Sequence, residues 1–132
     1  VLPTLWADER VVCVMPLFHS FASAMAHLLA PNCAGTLVLL PRYRPDLLQQ
    51  TIAAEGITRL PAGPTLVQSL LQWDGFDAQA FRTVRCLWSG SAPLPAEVQR
   101  RWEAATGIPV YDGYGQTEAG PVLTFHGPGT VL

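Results

Sequence analysis

The chain has no lysine: all eight of its basic residues are arginine. Charge of either sign is scarce, with Asp, Glu, Lys and Arg together at 14% of the 132 residues and a formal net charge of −2. Soluble domains usually carry about a quarter charged residues. The arginines are scattered and the balance is slightly acidic, so a face for nucleic-acid phosphates is excluded. Cysteine is also rare. Cys13, Cys33 and Cys86 are odd in number, widely spaced and without a Cys-x-x-Cys pair. That pattern argues against a disulfide framework or a structural zinc site and predicts reduced, buried thiols acting as small apolar groups. Apolar runs break at Pro, His or Ser well short of the ~18 residues of a membrane span. No charged-then-apolar leader opens the chain, and a cytoplasmic location is expected.

What the chain has in quantity is apolar surface, 49% of residues. That is high for this length. Two explanations fit: burial in a larger assembly, or origin as a piece of a larger protein. The first residue is Val, which favours the second.

A strand–helix rhythm runs through the sequence. Apolar stretches at 10–16, 36–41, 57–61, 84–90 and 108–113 read as strands. Between them, 20–35, 45–56, 64–73 and 95–107 read as helices, most with Pro near the start and Gly near the end. In 95–107, Val98, Trp102 and Ala105 make one apolar stripe. The segment 74–83 is a loop with room for one helical turn. Alternation with fully apolar strands predicts an α/β fold, a mostly parallel sheet flanked by helices.

The chemically distinctive residues follow the strands: "PLFHSFA", "PRYRP", "PAGPT", "SGSAPLP" and "GYGQTE". In open parallel sheets, ligands bind beyond the carboxyl ends of the strands. All five clusters should therefore meet at one edge. In "YDGYGQTE" (111–118), Gly113 and Gly115 allow positive φ or close approach of backbone to a ligand. Tyr114 offers a flat face for a base, Thr117 a hydroxyl for a phosphate oxygen, and Glu118 a hard oxygen for Mg²⁺. The residues alone also admit a plain Gly-rich turn with solvated Thr and Glu. Gly90, Ser91 and Ala92 leave room beside a planar ligand. His19 lies between Phe18 and Phe21, where a structural role is equally open. His27 reads as helix core or interface and His126 as loop, neither with a role.

These clusters, in this order, resemble the acyl-adenylate-forming superfamily of acyl-CoA synthetases, luciferases and peptide-synthetase adenylation domains. The resemblance implies that Tyr114 stacks on adenine, Thr117 contacts the α-phosphate, Glu118 helps bind Mg²⁺, and Asp112 contacts the adenine amino group. Gly113, Gly115 and Gln116 belong to the same nucleotide motif. It implies that Gly90, Ser91 and Ala92 line the other side of adenine, and that His19 and Phe21 border the carboxylate substrate. It further implies ATP and Mg²⁺, with coenzyme A as co-substrate and a carboxylic, fatty, acid as substrate. His19 stands where amino-acid-activating domains usually carry Asp, and Gln116 where they usually carry Pro, which favours acyl-CoA ligases. The family's upstream phosphate loop, its downstream ribose aspartate and the lysine of its small C-terminal domain have no counterpart here. Residues 1–132 are thus expected to be a central part of the large AMP-binding domain, inactive alone, packing on missing parts of that domain or on a second copy. The alternatives are a non-catalytic nucleotide-binding or interaction module, or an adenylation domain that passes its acyl group to a carrier protein. A flavodoxin-like domain would want a Gly-bearing phosphate loop after the first strand, which "PLFHSFA" does not resemble.

Overall fold

The computed structural model describes residues 8–126. Six strands form one sheet: β1 (Arg10–Cys13), β2 (Thr36–Leu39), β3 (Arg59–Ala62), β4 (Cys86–Ser89), β5 (Val110–Tyr114) and β6 (Thr124–His126). Their order is β2-β1-β3-β4-β5-β6. The first five strands run parallel and β6 is antiparallel to β5. The expected mostly parallel α/β sheet is therefore the observed one.

Successive side chains of a strand point to opposite faces, and both faces here are buried. Val12, Leu60, Leu87 and Val110 face one core, under α3 (Pro45–Glu55), α4 (Pro64–Gln72) and α5 (Ala96–Thr106). Val11, Cys13, Cys86 and Trp88 face the other. That second face is covered by one continuous helical segment: α1 (Ser20–Ala22), a π-helical stretch Ser23–Leu28, and α2 (Leu29–Asn32). Pro near the first turn and a left-handed Gly at the end bound α3, where Gly56 has φ 60°. Gly107, at φ 70°, ends α5 in the same way. On α5, Val98 and Trp102 are buried, but Ala105 is exposed and does not extend their stripe. A short 3₁₀ turn, Ala78–Phe81, occupies the loop expected to hold one, and its Phe81 ring packs edge-on to Trp102.

β1 and β2 stop short of Pro16 and Pro41, where the sequence pattern ended them, whereas β3 runs through Pro61 to Ala62. The last rung of the β1–β2 ladder is Leu40 N–H to Cys13 C=O at 2.9 Å. Beyond it the chain leaves the sheet to form loops. β6 has no counterpart in the sequence reading, because three residues carry no period and pair only with β5. His27 is exposed, not core. All three cysteines are free; Cys13 and Cys86 are buried and Cys33 is half-buried. Cys86 is more than a small apolar group: its Sγ accepts a hydrogen bond from Arg59 Nη1 at 2.7 Å. Burial pushes its thiol pKa up, which Arg59 only partly offsets. Among the described residues no helix is long and apolar enough to cross a membrane.

Candidate functional site

Three of the five strand-end loops converge. A cleft of about 180 Å³ is walled by His19, Ser20 and Phe21 after β1, by Ser91 after β4, and by Gly115 and Thr117 after β5. The loops after β2 and β3 leave the same edge of the parallel sheet without lining this cleft: Pro41 shares a groove with Pro16 and Leu17, and Gly63 lies beside the Gly90 carbonyl.

Each wall has a local cause. His19 caps α1: its Nδ1 accepts from Phe21 N–H at 3.3 Å. A neutral imidazole so engaged carries its proton on Nε2 and can donate from there. Phe21 is only 4% exposed, and its ring occupies the space a side chain at Gly90 would need. A Cβ there would lie 2.6 Å from the ring. Gly90 therefore makes room for Phe21 and not directly for a ligand, and the contact locks the first loop to the second. The next residue, Ser91, holds φ 70°, a left-handed conformation that costs a non-glycine residue about 1–2 kcal/mol. Such strain concentrates at ligand sites. Thr117 opens a 3₁₀ turn, Thr117–Ala119, and its Oγ1 lies 3.1 Å from Ser20 Oγ. Two hydroxyls from residues 97 apart in sequence are thus paired at the cleft. Ser20 was missed by the sequence reading, although it directly follows His19.

Strand β5 divides two clefts. Gly113 and Gly115 line the first cleft and also a second one of about 400 Å³, walled by Ser91, Ala92, Asp112, Tyr114 and His126. That volume lies within the roughly 300–1,000 Å³ of small-molecule sites. Alternation along β5 turns Asp112 and Tyr114 to this second side. Tyr114 is 59% exposed, and its hydroxyl accepts from Gln116 Nε2 at 2.8 Å. Asp112 Oδ1 and Ser89 Oγ are buried without a hydrogen-bond partner among the described residues, and they occupy facing positions on β5 and β4. Glu118 is exposed on the turn that carries Thr117 and is not a wall of either cleft. No group of three metal-ligating side chains occurs among the described residues.

Neither Gly113 nor Gly115 adopts positive φ. A Cβ on Gly115 would lie 1.8 Å from the Pro121 carbonyl oxygen, so this glycine is required by backbone meeting backbone. Gly115→Ala is expected to lower stability by about 1–3 kcal/mol, the usual cost of forcing atoms into a packed site. Thermal unfolding measures it, and an unchanged Tm would refute the contact.

The family model for AMP-binding enzymes matches residues 2–131, and the chain belongs to that family. It is 31% identical over 118 residues to 4-coumarate–CoA ligase 5 of Oryza sativa subsp. japonica, covering 89% of this chain and 22% of that protein. It is 32% identical over 120 residues to feruloyl-CoA synthase of an Amycolatopsis species, covering 89% and 24%. The ATP-bound crystal structure of MatB from Rhodopseudomonas palustris superposes with a TM-score of 0.87 at 28% identity, over 96% of this chain and 25% of that one. The chain thus spans about a quarter of the length of these relatives.

Proposed function

We propose that these residues form the adenylate-binding wall of an ATP-dependent acyl-CoA ligase. Convergence of His19, Phe21, Ser91 and Thr117 on one cleft, with Tyr114 and Asp112 just across β5, carries this reading. In the reaction, a carboxylate oxygen of the acid bonds to the α-phosphorus of ATP, and the bond to the bridging oxygen of pyrophosphate breaks. The thiol sulfur of coenzyme A then bonds to the acyl carbon, its proton leaves to solvent or a base, and AMP departs.

The 400 Å³ cleft takes the purine, with Tyr114 on one face and Ser91–Ala92 at the other. The Thr117 and Ser20 hydroxyls line the smaller cleft, on the other side of β5, and suit α-phosphate oxygens. His19 Nε2–H donates to the acid's carboxylate. A neighbouring apolar groove of about 340 Å³, lined by Met25, Leu29, Val122 and Phe125, suits an acid with an apolar tail. Relatives named for coumarate and ferulate fit that class. A magnesium ion would supply charge neutralisation on the phosphates. One exposed carboxylate, Glu118, fits such an ion, because Mg²⁺ is usually held by one or two carboxylates together with phosphates and water. His19 and Gln116 favour an acid without an amino group over an amino acid, as in acyl- or aryl-CoA ligases.

Tyr114 tests the nucleotide half. Among the described residues its hydroxyl bonds only Gln116, so in the protein as encoded Tyr114→Phe should leave ATP affinity nearly intact. Tyr114→Ala should cost about 1–3 kcal/mol, the range for base–aromatic stacking. Calorimetric ATP binding and a melting curve on the same sample decide it. Unchanged affinity with lost stability would make Tyr114 a packing residue.

A further inference from the structure

The purine cleft has a wall that neither the motifs nor the relatives assign. β6 pairs with β5 so that His126 stands directly opposite Asp112 and Thr124 opposite Tyr114. Side chains of directly opposed antiparallel residues share a face. Asp112, Tyr114, Thr124 and His126 accordingly line the same cleft, with Ser91 and Ala92 across from them. His126 is exposed to that space, and Asp112 Oδ1 is a buried acceptor without a partner among the described residues.

We propose that His126 is a specificity residue for the base: it donates a hydrogen bond to N1 of adenine while Asp112 accepts from the 6-amino group. This rests on the nucleotide reading above. Adenine presents an exocyclic donor beside a ring acceptor. A carboxylate beside an imidazole N–H is the complementary pair. Guanine presents the reverse polarity, a carbonyl beside N1–H, so its O6 would meet the Asp112 carboxylate. Leaving such polar groups mismatched is what makes hydrogen-bonding sites selective. A neutral imidazole has one N–H and suffices for this role.

The test uses the protein as encoded and four ligands in calorimetry: ATP, GTP, 1-deaza-ATP, in which C–H replaces N1, and the purine riboside triphosphate, which lacks the 6-amino group. The wild type should bind ATP over 1-deaza-ATP by about threefold to tenfold, the net worth of one hydrogen bond. His126→Ala should bind the two alike yet still prefer ATP over the purine riboside triphosphate, since Asp112 remains. His126→Gln, whose amide keeps an N–H, should retain part of the N1 preference. A wild type indifferent to N1, or a His126→Ala variant that keeps the preference, overturns the assignment and leaves the ligase reading standing. A wild type that binds none of the four ligands overturns both.

Discussion

Glu118→Gln in the protein as encoded is expected to slow adenylate formation about 10²–10³-fold, the usual loss when one electrostatic contact to the reacting group is removed. ATP affinity should fall far less. Negative charge shifts among the phosphate oxygens as pyrophosphate leaves, and interactions that strengthen only then act on rate and not on binding. Glutamine keeps the shape of Glu118 and removes its charge. Glu118 lies on the 3₁₀ turn that begins at Thr117, one residue from the hydroxyl paired with Ser20. Single-turnover pyrophosphate release set against calorimetric ATP binding separates the two quantities. Equal and mild losses in both would make Glu118 a solvated turn residue.

Arg59→Met should destabilise the fold by up to about 3–5 kcal/mol, the cost of removing one partner of a buried ion pair, reduced by what Arg85 still supplies with its Nη1 3.5 Å from Glu9 Oε1. Glu9 is wholly buried and Arg59 nearly so, with Oε1 and Nη2 2.7 Å apart. Thr58 also hydrogen-bonds Glu9, and Arg59 lies over the Trp88 ring at 5.2 Å. Burial by itself would raise the Glu9 pKa. The hydrogen bonds from Arg59 and Thr58 outweigh it and hold the carboxyl below its ordinary value. A depressed folded-state pKa contributes stability above the unfolded pKa and loses it as pH falls through the folded one. Without Arg59, Thr58 and Arg85 remain, but burial weighs more heavily and shifts Glu9 toward its protonated form. The deficit of Arg59→Met should therefore be largest at neutral pH and shrink as pH falls through the glutamate range. Denaturant unfolding at several pH values measures this, and a pH-independent deficit would refute the ion-pair account. The pair lies at the amino ends of the strands, away from the clefts, so ATP affinity of the folded variant should be unchanged. Replacing both residues by apolar ones should restore much of the loss.

Almost the whole order of elements was legible because its signals are local. Periodicity, Pro before helices and Gly after them act within a few residues, and Gly56 and Gly107 do what their positions imply. The same holds for the chemistry of "PLFHSFA", "SGSAPLP" and "GYGQTE", whose residue types announce hydroxyl, aromatic and carboxylate groups after strands.

The sequence by itself determined the α/β alternation, the family resemblance and the residues fit to meet a nucleotide. Only the tertiary structure decided how those residues meet. Ser20 reaches Thr117 across 97 positions, Glu9 finds Arg59 across 50, and β6 exists only because β5 offers it a partner. The glycines changed meaning for the same reason. Gly90 yields to Phe21, distant along the chain, and Gly115 to the Pro121 carbonyl across a tight turn, contacts that the local residue pattern does not show. A residue's type states what it can bond to, but its partner is chosen by sheet order and packing, which no local pattern contains.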